Sequence, residues 1–324
     1  MVSAATDTVG RVLSRQARAT TRTWRPDWPC PVGVVLATHR RGGGDPTFRP
    51  TADGTIWRGI RTPEGTATLR VERLKNDLIT ATAWGSGAEW ALGSVPRLLG
   101  AHDDPTGFEP PEQLKETWRR HHHWRIGATG LVMESLVPTI IEQKVTGQEA
   151  FAGFRTLVHR FGERAPGPPS EPDPPIRLWV QPSVAELRAI PSWEWLRLHI
   201  DGGRSRPIQH AVRVASSLER AGQEPPEVFD RRLRTLPGIG VWTSAEVRSR
   251  ALGDADAVSF GDYHVARNVG YALTGEPVDD DEMAVLLEPW SGHRHRVQRL
   301  VELAHITVPR RGPRMSPRRH LPTT

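Results

Sequence analysis

The sequence predicts an α+β fold that is mainly helical, with a small β-rich domain at its N-terminal end. Three observations support this prediction. Apolar and polar residues alternate in the first third of the chain, apolar residues recur at helical intervals in the remainder, and a proline with two glycines separates two short helical segments near residue 238. The 324 residues are enough for one large domain or two ordinary ones, with ample apolar material for a buried core.

Residues 24–112 are predicted to form the β-rich domain. Residues 67–71 alternate between apolar and polar side chains, and the turn sequence of residues 63–65 lies just before them. Residues 78–84 form an apolar and threonine-rich run that is typical of a second strand. We therefore expect an antiparallel sheet with one or two helices. Residues 1–23 have little apolar periodicity, so they are expected to be a disordered lead-in.

Residues 113–308 are predicted to be a helical domain. Apolar residues recur at helical spacing in residues 131–141 and again in residues 151–161. Six prolines lie within residues 166–175, which indicates a long loop, because proline removes a backbone donor and interrupts regular elements. Helical patterns then continue from residue 184 to about residue 304.

The basic charge of the chain is concentrated at its C-terminal end. The formal net charge is +6, and of the 43 basic residues only three are lysine. Residues 309–324 contain five arginines and no acidic residue, so the remainder of the chain is close to neutral. This segment is also rich in proline and is expected to be a disordered, solvated tail. Net charge alone therefore does not indicate a nucleic-acid partner.

The composition excludes several kinds of site. Cys30 is the only cysteine, which excludes an internal disulfide framework, a four-cysteine zinc site and a cysteine-ligated iron–sulfur cluster. No apolar run approaches the ~20 residues needed to cross a bilayer, and the N-terminus lacks the apolar core of a signal peptide. We expect a soluble, cytoplasmic protein that does not bind membranes. The consecutive histidines at residues 121–123 would point in different directions on a helix, so no metal site is expected.

The most informative segment is Leu236-Pro237-Gly238-Ile239-Gly240-Val241-Trp242-Thr243. Apolar spacing predicts one short helix before it and a second helix after it. The proline and glycines make a tight reversal that leaves backbone N–H groups free at the start of the second helix, where the helix dipole also favours a phosphate oxygen. This is a helix–hairpin–helix motif, which holds a nucleic-acid backbone without reading its sequence. A corner between two helices with a glycine-rich turn is the alternative.

Asp262 lies at the start of the next predicted helix, whose apolar positions include Val265, Val269 and Leu273. An aspartate is a favoured N-cap residue and stabilises a helix by about 1 kcal/mol, so a purely structural role is one interpretation. A catalytic carboxylate next to a bound nucleic acid is the other interpretation. The combination with the hairpin, about twenty residues earlier, favours the catalytic one.

The hairpin, a helix and an aspartate that opens the next helix together resemble the helix–hairpin–helix DNA glycosylase superfamily. Within it, the chain is most similar to the 3-methyladenine DNA glycosylase II type, also called the AlkA type. The likeness covers roughly residues 125–300 and includes residues 134–146, which are similar to the first core helix of the family and the turn that ends it. The resemblance implies a helical helix–hairpin–helix glycosylase core, to which the β-rich part is added as in the AlkA type.

The resemblance assigns catalysis to Asp262. It assigns contacts with the DNA backbone to Pro237, Gly238, Ile239, Gly240, Trp242 and Thr243. Family members that also cut the strand carry a lysine two positions after the second hairpin glycine, and its amine forms a Schiff base with the sugar. This chain has Trp242 there, as the AlkA type does. The resemblance therefore implies release of the base without cleavage of the strand.

The resemblance also names residues for base and strand recognition. Trp242 and Tyr263 are candidates for the wall of the base pocket, where an aromatic face attracts a cationic base by ~0.5–2 kcal/mol, and core packing is the alternative for both. Gln143 and Lys144 occupy the turn from which the family inserts a wedge into the space left by a flipped base, and a solvated turn is the alternative. The hairpin of the family can hold a monovalent cation, and no other cofactor is expected.

These features predict a monofunctional DNA N-glycosylase that excises alkylated purines such as 3-methyladenine and 7-methylguanine. Base flipping would expose the N-glycosidic bond, and an ionised Asp262 would stabilise the positive charge that develops on the sugar. Double-stranded DNA is the expected partner of a monomer associated with the nucleoid. Two other hypotheses stay open. One is a non-catalytic DNA-binding protein that uses Asp262 only as a cap, and the other is a glycosylase of the same fold that acts on another lesion.

Overall fold

The chain folds into an antiparallel sheet and a larger set of helices, in agreement with the predicted α+β class. The computed structural model describes residues 19–75, 77–168 and 176–309, so most of the predicted lead-in and nearly all of the predicted tail lie outside the described residues. The strands are β1 (Thr20–Trp24), β2 (Phe48–Pro50), β3 (Ile56–Thr62), β4 (Gly65–Arg73), β5 (Ile79–Trp84), β6 (Glu163–Arg164) and β7 (Trp179–Val180).

The helices lie mainly in the second half of the chain. They are α1 (Val32–Leu36), α2 (Ala88–Leu98), α3 (Lys115–His121), α4 (Val132–Ile141), α5 (Gly147–Phe161), α6 (Val184–Ala189), α7 (Ser192–Arg197), α8 (Gly202–Arg213), α9 (Ala215–Ala221), α10 (Pro226–Leu233), α11 (Val241–Val247), α12 (Val265–Thr274), α13 (Asp280–Leu287) and α14 (Arg294–Leu303). In the part of the chain that the structure describes, none of them has both the length and the apolar character needed to span a membrane.

The first five strands form one antiparallel sheet with the order β1-β5-β4-β3-β2. The predicted alternation is confirmed in β4, where Ala67, Leu69 and Val71 are fully buried. The predicted turn joins β3, which ends at Thr62, to β4, which begins at Gly65. Helix α2 packs against β1, β4 and β5, and its apolar residues complete the core on that face of the sheet.

Strand β1 corrects the predicted extent of the lead-in. The sequence places residues 20–23 in that segment, but they pair with β5, from Thr20 opposite Ala83 to Trp24 opposite Ile79. Three of the five residues of β1 are threonine, and the side chains alternate between partly buried and exposed. An edge strand of this kind needs no apolar run, because β-branched residues favour extended backbone and the neighbouring strand supplies the hydrogen bonds. Low apolar periodicity is therefore a poor sign of disorder here.

Helix α4 lies at the centre of the helical part. Its residues Leu136, Val137, Ile140 and Ile141 are completely buried. A helix that is apolar on nearly all sides is a core helix rather than a surface helix. Helices α5, α8, α9 and α11 pack around it, and α11 is the second helix of the hairpin. Helix α4 therefore fixes the position of the hairpin relative to the turn that ends α4.

The turn between α4 and α5 has a defined end. The side chain of Thr146 accepts a hydrogen bond from the backbone N–H of Glu149, and the Glu149 side chain accepts one from the backbone N–H of Thr146. This reciprocal capping box fixes the residue at which α5 begins. The turn is thereby limited to residues 142–146, and Lys144 within it has a φ of 54°.

A buried ion pair joins α14 to the segment that follows α2. The side chains of Arg296 and Asp103 are 0% and 3% exposed, and two hydrogen bonds of 3.0 and 2.6 Å connect them. The guanidinium also lies over the rings of Phe108 and Trp124. Because each charge would be unpaired in the interior without the other, the pair holds α14 firmly in place. Helices α12, α13 and α14 share an apolar cluster of their own.

Candidate functional site

Asp262 lies just before α12 and caps it. Its Oδ1 accepts hydrogen bonds from the backbone N–H groups of His264 and Val265, at 2.7 and 3.1 Å. Among the described residues, its Oδ2 has no hydrogen-bond or ion-pair partner, and the side chain is partly exposed. Capping therefore occupies one oxygen of the carboxylate and leaves the other available to a ligand.

The residue before Asp262 packs against the second helix of the hairpin. Gly261 has a φ of 84°, and a Cβ placed on it would lie 3.8 Å from the Cβ of Trp242. The Gly261 N–H also donates a hydrogen bond of 2.8 Å to Oδ2 of Asp280, at the start of α13. Trp242 is half-buried, and its Nε1 has no hydrogen-bond partner among the described residues. The loop that carries Asp262 therefore passes close to Trp242 at Gly261.

The turn of the hairpin is exposed and its backbone donors are free. The exposed turn residues are Pro237, Gly238 and Gly240, whereas Ile239 is buried and anchors the turn in the core. Within the described ranges, the backbone N–H groups of Gly240, Val241 and Trp242 make no hydrogen bond. The first turn of α11 therefore presents free N–H groups and the positive end of the helix dipole to solvent.

Gln143 connects the turn after α4 to the hairpin. Its Nε2 donates hydrogen bonds to the carbonyl oxygen of Gly238 at 2.9 Å and to Oγ1 of Thr243 at 2.8 Å. Thr243 is only 2% exposed, so one end of this contact lies inside the motif. The amide of Gln143, which the sequence assigns to a strand wedge, is therefore engaged by the hairpin.

Lys144 is the exposed residue of the same turn. It has a φ of 54°, in the left-handed region that residues other than glycine rarely adopt. Gln143 ties the turn to the hairpin, and the preceding residue, Glu142, forms an ion pair of 2.8 Å with Arg41. These contacts on two sides of the turn support the unusual backbone conformation, and they leave the Lys144 side chain in solvent.

A second basic residue lies near the hairpin. Arg206 on α8 is exposed, and it precedes Pro207. Pro207 packs so closely on Gly238 that a Cβ at Gly238 would lie 2.3 Å from its Cγ. Lys144 and Arg206 are therefore exposed basic residues that adjoin, in sequence, the two residues in contact with the hairpin turn, Gln143 and Pro207.

Tyr263 lies at the surface and is not enclosed by other residues. It is 78% exposed, and its ring makes an edge contact with the ring of His264 at a centroid distance of 4.8 Å. Of the two aromatic residues predicted for the base pocket, the structure places Trp242 beside Gly261 and leaves Tyr263 in solvent.

A buried polar cluster lies one helical turn beyond Trp242. Glu246 is four residues further along α11, so it shares a face of the helix with Trp242. Its Oε1 accepts a hydrogen bond of 2.5 Å from Oγ of Ser259, and its carboxylate pairs with Arg250. Burial disfavours the charged form of Glu246, but Arg250 and Ser259 outweigh this effect and hold the pKa of Glu246 below its ordinary value.

The same cluster positions the loop that carries Asp262. The N–H of Ser259 donates a hydrogen bond of 3.1 Å to Oε1 of Gln298 on α14, and the carbonyl of Ser259 accepts one of 3.2 Å from the N–H of Asp262. Sequence reasoning missed Glu246, Ser259 and Gln298. Only Glu246 carries a local signal, because its spacing from Trp242 on a predicted helix is visible in the sequence.

Asp262 lines neither of two cavities in the part of the chain that the structure describes. One of about 70 Å³ adjoins the polar cluster and is bordered by Glu246, Ser249 and Gln298. The other, of about 380 Å³, lies between β3 and α4. The side chain of Asp262 is partly exposed, so a bound macromolecule would have to cover it to exclude water.

The described residues hold no cluster of three or more histidine, cysteine, aspartate or glutamate side chains suited to a metal ion. The rings of His122 and His123 lie against each other, with centroids 3.6 Å apart. At the hairpin, the carbonyl of Gly238 accepts a hydrogen bond from Gln143, and that of Leu236 accepts one from Ile239. Each carbonyl oxygen has a second lone pair, so these atoms stay compatible with a monovalent cation.

The chain has the overall fold of several DNA glycosylases of known structure. The 3-methyladenine DNA glycosylase of Archaeoglobus fulgidus matches with a TM-score of 0.71 at 16% identity, over 88% of this chain and 98% of that one. The apo-form of the 8-oxoguanine glycosylase/lyase of Clostridium acetobutylicum matches with a TM-score of 0.66 at 12% identity, over 89% and 98% of the two chains. The same enzyme in complex with double-stranded DNA containing cytosine opposite 8-oxoguanine gives 0.62 at 12% identity, over 89% and 97%.

At the level of sequence the likeness is weak. No protein-family profile and no curated protein sequence matches the chain. At identities of 12% and 16%, few residues are shared, so the likeness is one of architecture. The solved enzymes act on different bases, so the likeness extends to the fold and not to the substrate. The chain has the fold of the helix–hairpin–helix DNA glycosylases.

Proposed function

We propose that the protein is a DNA N-glycosylase that excises alkylated purines of the 3-methyladenine and 7-methylguanine class. The observation that carries this proposal is the position of Asp262 beside the hairpin, because Gly261 packs on Trp242 and one oxygen of the carboxylate has no partner in the described part of the chain. An exposed backbone clamp next to an available carboxylate suits the hydrolysis of a nucleotide in DNA.

The chemistry proposed for Asp262 is electrostatic. Breaking the N-glycosidic bond builds positive charge on the sugar, and the free Oδ2 stabilises that charge and orients the attacking water. Oδ1 keeps its hydrogen bonds to the N–H groups of His264 and Val265, which hold the carboxylate in one orientation. An N-alkylated purine is already cationic, so its departure needs no strong general acid.

The hairpin is proposed to hold the DNA backbone. Its free N–H groups, from Gly240 to Trp242, donate to a phosphate, and Lys144 and Arg206 add positive charge on neighbouring elements. Each phosphate that is neutralised releases counterions, so affinity should fall steeply as salt rises. Because the Gln143 amide is held by the hairpin, Lys144 is the residue that we propose inserts into the space left by the flipped nucleotide.

The extruded base is proposed to meet Trp242 and Tyr263. Each aromatic face attracts a cationic base by ~0.5–2 kcal/mol. Tyr263 is exposed in the free protein, and neither interior cavity reaches Asp262. The pocket is therefore completed only when DNA covers this surface, and water is excluded at that stage.

The reaction is proposed to end at an abasic site, with the strand intact. Trp242 stands where strand-cutting relatives carry the lysine that forms a Schiff base. The test is borohydride trapping, which should give no covalent complex with DNA. A trapped adduct would contradict the monofunctional assignment.

The accompanying proposals concern cofactor, partner and organisation. We propose that the chemical step needs no cofactor. A monovalent cation bound by the hairpin carbonyls would strengthen the binding of phosphate. We also propose a monomer that binds double-stranded DNA at the nucleoid in the cytoplasm, and a separate β-rich domain, predicted as residues 24–112 and extended by β1 to residue 20. Gel filtration with and without duplex DNA would test the monomer, because a dimer would elute at twice the expected mass.

The substrate is tested by incubating the wild-type protein with duplex DNA treated with a methylating agent, and with matched duplexes that contain 8-oxoguanine or uracil. Chromatography of the free bases should detect 3-methyladenine or 7-methylguanine. Release of only 8-oxoguanine or uracil would show that the substrate belongs to another class of lesion. Tight binding of DNA without release of any base would instead support the non-catalytic alternative.

A further inference from the structure

The larger cavity lies outside the proposed glycosylase site. Its volume is about 380 Å³, which is in the range of small-molecule sites. Strand β3 borders it on one side, and α4 borders it on another. Its lining contains neither Asp262 nor any residue of the hairpin turn. The proposed function gives this cavity no role.

Three of the arginines that line the cavity have a single carboxylate partner each. Arg41 pairs with Glu142 at 2.8 Å, Arg58 pairs with Glu134 at 2.5 Å, and Arg250 pairs with Glu246. Arg41 and Arg58 are each only 6% exposed. Buried guanidinium groups with one such partner are uncommon, because the low dielectric of the interior makes every missing hydrogen bond costly.

Arg41 and Arg58 have unused donors, whereas Arg250 donates from Nε and Nη1 to the carbonyl oxygens of Thr38 and Glu246. A guanidinium carries five N–H donors. In the described residues, only one nitrogen of Arg41 and one of Arg58 donates to another side chain. The cavity is where the remaining donors can meet an acceptor, so it favours a ligand rich in acceptor oxygens.

His39 lies among these arginines and stays neutral. Burial lowers its pKa well below the ordinary value, and the charges of Arg58, Arg250 and Arg41 lower it further. The histidine thus responds to the positive potential of the cluster. A cationic ligand would be disfavoured here, and an anionic one favoured.

The two carboxylates in the lining do not reverse this preference. Glu134 is bound to Arg58. Glu219 accepts the backbone N–H groups of Val132 and Met133 at 2.9 and 2.8 Å, and burial, together with the charge of Glu134, raises its pKa. Each carboxylate therefore has a partner within the protein, but among the described residues Oε2 of Glu134 is buried and makes no hydrogen bond.

Part of the helical side of the cavity is apolar, although Glu134, Ser135 and Glu219 also lie on that side. Met133, Pro138, Phe154 and Leu187 form the apolar part of the lining. A simple ion such as phosphate would leave these side chains unused. A ligand that fits the whole cavity has an anionic group for the arginines and a flat apolar body for the helical side.

We propose that this cavity binds a small organic anion, in which a carboxylate or a phosphate monoester is attached to an apolar ring. The anionic group accepts hydrogen bonds from Arg41 and Arg58, whose planar donors match the oxygens of either group. The ring packs against Met133 and Phe154. Ser216, which is exposed and also lines the cavity, marks an entrance. This proposal is independent of the glycosylase activity.

Isothermal titration of the full-length protein tests the ligand class. The probes are benzoate and phenyl phosphate, with benzylamine as a cation that carries the same ring. We expect saturable binding of at least one of the two anions and none of benzylamine, and the anion that binds tighter identifies the preferred group. If neither anion binds at about 10 mM, or if benzylamine binds equally well, the proposal is wrong.

Two variants test the location of the site. The double variant Arg58→Met with Glu134→Gln removes the donors without leaving an unpaired charge, and Ser216→Trp blocks the entrance from an exposed position. Each should raise the dissociation constant of the bound anion about tenfold or more. Arg119→Met, at an exposed arginine of α3, is the control and should change nothing. Unchanged affinity in Ser216→Trp, which requires no change in the core, would overturn the proposal even if the double variant fails to fold.

Discussion

The side-chain amide of Gln143 is hydrogen-bonded to the carbonyl oxygen of Gly238, at 2.9 Å. Together with the bond to Thr243, this contact joins the turn after α4 to the turn of the hairpin. This contact therefore holds together two parts that the proposed function needs. One is the residue proposed to enter the DNA stack, and the other is the hairpin turn proposed to bind the phosphates. Lys144 follows Gln143 directly, so its position relative to the hairpin depends on this contact.

Replacing Gln143 by alanine should weaken DNA binding about tenfold and lower the free energy of unfolding by about 1–3 kcal/mol. The reason is that the buried hydroxyl of Thr243 and the carbonyl of Gly238 would lose their shared donor. Fluorescence anisotropy with duplex DNA and urea unfolding measure the two effects. Gln148→Ala, at an exposed glutamine of α5, is the matched control. Equal DNA affinities for the two variants would show that the contact does not organise the interface.

The two hairpin glycines should respond differently to alanine. Gly238 has a φ of 87°, and a Cβ there would lie 2.3 Å from Cγ of Pro207, so Gly238→Ala should lose about 2–4 kcal/mol of stability. Gly240 has a negative φ, and a Cβ added to it would meet no atom within 4 Å, so Gly240→Ala should keep its stability. Its methyl group would stand where a phosphate approaches, and DNA affinity should fall. Full affinity in Gly240→Ala would mean that phosphates do not come close to this turn.

Lys144→Gly should separate stability from function. Relief of the left-handed conformation should stabilise the protein by about 0.5–1 kcal/mol, while loss of the side chain should slow base release. His305→Gly is the control, because His305 is also exposed and has the same φ of 54°, but it lies after α14. Thermal unfolding and single-turnover release would be measured for both. Identical release rates in the two variants would remove Lys144 from the proposed interface.

Stability should fall as the pH drops from 7 towards 5.5. Burial lowers the pKa of both His39 and His295. In the unfolded chain these groups bind protons near pH 6.5, whereas the native state disfavours the protonated form, so each contributes a loss of up to about 1.4 kcal/mol per pH unit below that value. Urea unfolding of His295→Gln should give a shallower pH slope than the wild type. His122→Gln, at an exposed site, should keep the wild-type slope, and the same slope in all three proteins would contradict the account.

The elements that carry the candidate site are those with a local signature. The proline and glycines of the hairpin predict its two flanking helices, which the structure has as α10 and α11. Asp262 is an N-cap residue by type, and α12 begins three residues later, at Val265. Such features depend on backbone geometry within a few residues, so the residue types of the segment predict them directly.

Other features depend on contacts between residues that are far apart in the sequence. The Arg296–Asp103 pair and the bond between Ser259 and Gln298 join segments with no shared periodicity, so nothing local indicates them. Tyr263 illustrates a different limit. Its place beside Asp262 is evident from the sequence, but its exposure is not, because the direction of a side chain in a loop follows no period.

In the proposed reaction, the charge of Asp262 drives base release. The most direct test is the single-turnover rate of base release from methylated duplex DNA by the wild type and by Asp262→Asn. Asparagine caps a helix as well as aspartate does, so its Oδ1 can still accept from the N–H groups of His264 and Val265 while the charge is gone. We predict a rate lower by about 10²–10³-fold, with unchanged DNA affinity and melting temperature. Equal rates for the two proteins would contradict the catalytic role of this carboxylate.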